Sequence, residues 1–154
     1  MSSKLKSLTC YLISKKQCRQ EDLDSWVDHC RIIPESSVEG EYCQLHLNLT
    51  TCTLFIEEFS GNATELVAHV SAWLQDNDDP NDRQRFGLTD PEMDITMLDS
   101  SGKKWDVDIS LQFLEPVLVQ EDPNGSIEWD STRWSLIEEP VVDVATEAEG
   151  VFPA

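Results

Sequence analysis

With 154 residues, 40% of them apolar and 27% charged, the chain has the composition of one globular domain and not of a disordered or fibrous polypeptide. Thirty acids against eleven bases leave a net charge of −19, which excludes nucleic-acid binding through the general surface, because phosphate recognition needs clustered Lys and Arg. No apolar run approaches the roughly 18 residues of a membrane span, and Tyr11-Leu12-Ile13 is too short for a signal-peptide core, so a protein that stays in the cytoplasm where it is made is expected.

Leu5, Leu8 and Leu12, three and four apart, predict a helix over 2–18 that Ser2 or Ser3 can cap. A second short helix is expected over 21–30. Leu23, Trp26, Val27 and Cys30 would share one face, Glu21, Asp22 and Asp24 favour the N-terminal end, and Pro34 forbids continuation. Cys43, Leu45, Leu47 and Leu49 then alternate with polar residues, the period of a half-buried strand. Residues 53–59 read as another strand, or the two join into one long bent strand, since 50–52 carries no strong turn signature. Asn62 with Glu65 resembles a capping box before the clearest helix, on which Leu66, Val70, Trp73 and Leu74 recur. Asp76-Asn77-Asp78-Asp79-Pro80 stops that helix, and a polar loop is expected as far as Asp90.

The second half is strand-like. Met93, Ile95 and Met97 alternate, 100–103 is a turn, and Trp105, Val107, Ile109, Leu111 and Phe113 alternate strictly, which predicts a hairpin. Pro116 is expected to bend or end this strand, or to set the next segment at an edge. Val117 and Val119 should meet Ile127 and Trp129 across the turn Asp122-Pro123-Asn124-Gly125. Beyond 137 the acids Glu138, Glu139, Asp143, Glu147 and Glu149 face no Lys or Arg. The expected organisation is therefore one domain over 1–137 and an acidic tail or arm over 138–154. The fold class is α+β: a mostly antiparallel or mixed sheet with helices packed on one face.

Little in the chain suggests catalysis. Five cysteines, Cys10, Cys18, Cys30, Cys43 and Cys52, all lie in the first third and read as buried thiols of a reducing compartment. Only Cys43 and His46 have ligand-like spacing, and an offset of three puts them on opposite faces of a strand. The acidic run departs from a calcium loop at Pro80, Asn81 and Gly87. There is no nucleophile elbow and no phosphate loop, so no metal, cofactor or active site is expected. Asp106 and Asp108 share the polar face of a strand, where they are either solvated or turned toward another subunit. Trp26, Trp73 and Trp105 belong to apolar faces. Trp134, Leu136 and Ile137, near the acidic tail, suit either simple packing or an interface.

The helix Leu66-Val67-Ala68-His69-Val70-Ser71-Ala72-Trp73-Leu74-Gln75 is followed by a polar loop and a short strand. Then come Asp106-Val107-Asp108-Ile109-Ser110-Leu111-Gln112-Phe113-Leu114-Glu115 and Leu118-Val119-Gln120-Glu121. In order and spacing this resembles the tail completion protein R family of contractile-tailed temperate phages, over roughly residues 3–130. The resemblance implies a tail-terminator-like fold and a structural virion protein that forms a ring of copies of itself, usually six. Such a ring caps the head-proximal end of the tail, ends tube and sheath polymerisation, and offers a surface to head-completion or connector proteins. Assembly would begin in the host cytoplasm and end in the tail and neck of the virion. DNA would pass through without specific binding.

Within that picture Trp134, Leu136, Ile137, Val141 and Val142 are the expected subunit interface, the last part reaching a neighbour as an arm. Asp76, Asp78, Asp79 and Asp82, the densest acidic run outside the tail, are the expected lining of the lumen. The rival reading is a small acidic binding or inhibitor module, such as a DNA mimic or an immunity-type protein.

Overall fold

Two long strands organise the chain. The computed structural model describes residues 2–98 and 101–137, so the acidic segment 138–154, with Val141 and Val142, lies outside the described residues. The elements are α1 (Ser3–Ser14), a single 3-10 turn (Gln20–Asp22), β1 (Leu23–Ile33), β2 (Ser37–Glu39), β3 (Tyr42–Phe59), α2 (Ala63–Asn77), α3 (Pro80–Arg85), β4 (Glu92–Met97), β5 (Trp105–Glu121), β6 (Ile127–Trp129) and β7 (Thr132–Leu136). The class is α+β, and every strand pairing is antiparallel. The sheet runs β1-β3-β5-β7-β6, with β2 also against β3 and β4 also against β5.

Strands β3 and β5 pair from Cys43 opposite Val119 to Phe59 opposite Trp105. The long-bent-strand alternative is the one realised, for Thr50 to Cys52 continue the ladder without a turn. Alternation splits the sheet into two sides. Cys52, Leu54 and Ile56 of β3 and Val107, Ile109, Leu111 and Phe113 of β5 face the helices. There they bury against Leu5, Leu8 and Leu12 of α1 and Leu66, Val70, Trp73 and Leu74 of α2. A smaller cluster lies on the opposite side, at the other end of the sheet: Leu47, Leu49 and Leu114 under Ile33, Phe86 and Leu88.

The helix ends follow their local chemistry. The Ser2 side chain accepts from the Leu5 amide at 3.1 Å. Lys16, with φ of 59°, closes α1 in the left-handed region while the Gln17 amide donates back to the Leu12 carbonyl. The Asn62 side chain accepts from the Glu65 amide at 3.1 Å, the cap read from the sequence.

Four expectations need correction. The helix expected over 21–30 is strand β1. Asp22, Asp24, Ser25, Val27, Asp28, His29 and Cys30 are weak helix formers, and the open edge of β3 takes the segment as a ladder from Leu23 opposite Ile56 to Ile33 opposite Leu47. Trp26 consequently leaves the core. It is 41% exposed on the side without helices, its indole N–H donating to Asp28.

The loop expected up to Asp90 contains α3, where Pro80 starts a helix behind the cap Asp79, and Arg83 and Arg85 fill the last turn. Finally, β5 runs unbroken through Pro116, and the strand that meets it beyond the turn is β7, not Ile127 and Trp129. Pro116 is tolerated because β4 pairs only up to Ser110 and β7 only from Val119. It shares the phase of Gln112 and Leu114, whose carbonyls point to the unpaired edge, so its missing N–H breaks no ladder bond.

Two turns in the β5–β7 region carry backbone demands. Gly125 is pressed against the Trp134 carbonyl, where an added Cβ would lie 2.1 Å from the oxygen. Asp130 and Ser131 join β6 to β7 with φ of 54° and 58°, the conformation of a type I′ turn. Gly125→Ala is therefore expected to lose about 3 kcal/mol or to disorder the β6–β7 hairpin. The double change of Asp130→Asn and Ser131→Gly should gain about 0.5–1 kcal/mol, because Asn-Gly adopts this turn without strain. Urea unfolding checks both signs.

Candidate functional site

The unpaired stretch of β5 between its contacts with β4 and β7 is where the helices attach. On that edge the Leu114 carbonyl accepts from Lys4 Nζ at 3.0 Å and the Gln112 carbonyl from Arg83 Nη1 at 2.7 Å. Both cations converge on Asp78, the C-cap of α2. Lys4 forms one ion pair with it and Arg83 another, at 2.8 Å. The Asp78 side chain is only 3% exposed. Beside it, Glu115 holds the start of α1: its carboxylate accepts from Ser2 Oγ at 2.6 Å, Ser3 Oγ at 3.0 Å and the Lys4 amide at 3.1 Å. A carboxylate at a helix N-terminus meets unpaired amides and the positive end of the dipole.

The side of the sheet away from α1 and α2 differs in kind. Asp24 stands across β3 from Asp108, with Phe55 between them, and Asp108 is directly opposite Asp94. Glu92, Thr53 and Trp26 form the next row, and Asp106 lies opposite Thr96. Asp106 accepts from the Glu58 amide at 3.1 Å, which supports Glu58 at a φ of 52°. Asp28 accepts from Trp26 and Thr53. No helix covers this region, and directly opposed like charges destabilise a sheet. Among the described residues no cation pairs with Asp24, Glu92, Asp94 or Asp108.

The expected lumen residues separate. Asp76, Asp79 and Asp82 are exposed, at the end of α2 and along α3. Asp78 is corrected out of any acidic lining, because it is buried and neutralised by two cations. Of the expected interface residues, Trp134 packs within its own chain, its indole N–H donating to the Trp129 carbonyl at 2.9 Å and its ring 5.2 Å from that of Trp129. Leu136 is 53% exposed. The Ile137 amide donates to the Leu118 carbonyl at 2.9 Å. The anchoring group of Lys4, Asp78, Arg83 and Glu115 was not anticipated. One signal pointed to it: Glu115 occupies the phase of Val107, Ile109, Leu111 and Phe113, where a carboxylate needs a partner.

The remaining chemistry-bearing residues are dispersed. Cys43 and His46 make no joint site, and His46 bonds Asn48 at 2.8 Å. His69 meets the Tyr11 hydroxyl at 3.2 Å. Burial pushes the Cys18 thiol up to about 11, with Asp22 adding to the effect, and pushes Cys52 up to about 11 as well. An apolar groove of about 510 Å³ runs between α2 and the start of β4, floored by Val70, Leu74, Met93 and Ile109. Its rim carries Ser71, Asp78, Arg83, Asp90 and Glu92.

The fold is thus an antiparallel sheet with α1 and α2 on one side and, on the other, carboxylates without cation partners among the described residues, its helices tied to the sheet through Lys4, Asp78, Arg83 and Glu115. The family model of P2 phage tail completion protein R (GpR) matches residues 2–140, and the chain belongs to that family. It is thus a structural protein of a phage tail, located in the virion tail and in contact with other tail components. No curated protein and no solved structure matches the chain.

Two measurements test the chemistry of this region. Asp78→Ala leaves Lys4 and Arg83 facing each other over backbone carbonyls, and should lower unfolding stability by about 3 kcal/mol. An unchanged urea midpoint would show that the anchor holds nothing. The thiols of half-buried Cys18 and buried Cys52 bind their protons more tightly folded than unfolded. Their stabilising contribution is present below pH 9, the ordinary thiol value, and is lost as pH rises through about 11. The melting temperature should therefore fall between pH 9 and 11, and Cys18→Ala with Cys52→Ala should flatten that fall.

Proposed function

We propose that the protein terminates the tail: copies close into a ring on the head-proximal end, stop tube and sheath growth, and present a surface to head-completion proteins. The observation that carries this reading is the carboxylate-bearing region around Asp24, Asp94 and Asp108, which neither α1 nor α2 covers, set against the side that they do cover. A subunit with one bulky layer and one thin layer suits a ring whose helices lie outside and whose sheet lines the passage. Carboxylates at Asp24, Glu92, Asp94, Asp106 and Asp108 would repel duplex DNA, which carries one negative charge per roughly 1.7 Å of its axis. Cargo could then pass without sticking. Exposed Asp76, Asp79 and Asp82 are a second candidate lining. The segment 138–154, with Val141 and Val142, is retained as an arm that reaches a neighbour. Family membership gives the acids a place in a virion, and the reading of a free DNA mimic or inhibitor draws on nothing else.

Electron microscopy of lysates tests the first part. Phage lacking this protein should make overlong tails of variable length without heads, and supplying it should restore uniform, joined tails; normal tail length without it sinks the proposal. Two variant sets locate the lining: Asp24, Asp106 and Asp108 to Asn, and Asp76, Asp79 and Asp82 to Asn. Both should leave capping intact. The set that faces the channel should slow DNA ejection and make it more dependent on salt.

A further inference from the structure

A terminating ring needs a contact that repeats from copy to copy. Resting on that reading, we infer that the β1 edge of one copy pairs antiparallel with the β4 edge of the next, so that the sheet continues around the ring.

Both edges are open, since β1 pairs only with β3 and β4 only with β5. Proteins usually guard such edges with Lys or Pro, yet neither Leu23–Ile33 nor Glu92–Met97 contains either. The guards present are a bulge between Val27 and His29 and the charges Asp24, Asp28 and Arg31 on β1 and Glu92 and Asp94 on β4, and beyond the bulge β1 is regular. The other strands with an open edge, β2 and β6, have three residues each and offer little to pair with. Apolar side chains sit on the same edges, unused by the core: Ile32 is 65% exposed, Ile95 45% and Met97 58%.

Strand direction agrees. Across β1, β3, β5 and β4 each strand is antiparallel to the last, so the two edges run in opposite senses. Rotation about a ring axis preserves the sense of every copy, so β1 meets the neighbouring β4 antiparallel without rearrangement.

Charge selects the register. Cys30 and Ile32 lie on the helix-covered side of β1, and Met93, Ile95 and Met97 on that side of β4. Placing Ile32 opposite Met93 and Cys30 opposite Ile95 keeps like sides together. It also sets Arg31 directly opposite Asp94 and His29 opposite Thr96. Within one chain Asp94 faces Asp108, a like-charge pair with no cation, and exposed Arg31 has no ion-pair partner among the described residues. A single contact would relieve both. A two-fold β1–β1 contact would close at two copies and leave Asp94 unrelieved.

The test is a charge exchange in the full chain, read by light scattering and by negative-stain images with and without tail tubes. Arg31→Glu alone and Asp94→Arg alone should shift rings to monomer mass, and the two together should restore rings. Circular dichroism checks that each variant is folded, and Arg31→Ala gives a milder loss in the same direction. As an independent readout, Ile95→Cys oxidised against native Cys30 should give a covalent ladder on a non-reducing gel that Cys30→Ser abolishes. Rings from both single reversals, a double variant no better than its worse parent, or no ladder from assembled rings overturn the edge contact while leaving tail termination standing. Dimers as the largest ladder species favour the two-fold contact and overturn it too. Wild-type protein that stays monomeric even with tail tubes overturns both readings.

Discussion

The carbonyls of Gln112 and Leu114 have no strand to bond, because β4 ends its pairing below them and β7 begins above. Beside the apolar packing of α1 and α2, the polar ties between the helices and the sheet lie where that gap is filled. Arg83 and Lys4 donate to the two oxygens, and two cations brought so close require an anion, which Asp78 supplies from the end of α2. The first helix, the second helix and α3 are thus tied to one stretch of β5 by a group in which each charge satisfies the need created by the previous one. A hydrophobic plug would cover the gap equally well but would leave the carbonyls unpaired.

This anchoring divides the molecule electrically. The first twenty residues contain five basic side chains, Lys4, Lys6, Lys15, Lys16 and Arg19, and no acid, so all thirty acids lie beyond them. Since α1 packs on one side of the sheet and Asp24, Asp94 and Asp108 project from the other, the net charge is polarised across the layer and not merely large. Even spreading would suffice for solubility. Segregation of this kind instead presents different surfaces to different neighbours.

The range of each interaction decides how much of it the sequence disclosed. Alternation from Trp105 to Phe113 and the helical recurrence of Leu66, Val70, Trp73 and Leu74 are local patterns, and both elements and their buried sides were legible. The cap at Asn62 is equally local. β1 was not legible, because Leu23, Trp26, Val27 and Cys30 fit a helical stripe while the deciding influence, the open edge of β3, lies some twenty residues further on. Pro116 misled for the same reason: whether a proline breaks a strand depends on which edge is paired. The partners of Asp78 come from positions 4 and 83, so its burial could not be read from the acidic run around it. Of the expected site residues, Asp76, Asp79 and Asp82 are exposed, whereas Trp134 turns inward onto Trp129.

The pairing of β3 with β5 has a further consequence, for the order of folding. During synthesis β1, β2 and β3 emerge together and can form a meander at once, but Leu54 and Ile56 gain their β5 neighbours Ile109 and Val107 only after α2, α3 and β4 have been made. Until then one edge of β3 is bare and its apolar side is covered only by what α1 and α2 can shield. Pairings between distant segments form slowly and leave sticky edges exposed meanwhile. The absence of Lys and Pro from β1 adds a second such edge. High expression or elevated temperature should therefore divert newborn chains into aggregates more readily than it melts finished ones, and the yield of soluble subunit will be set by the rate at which β5 arrives.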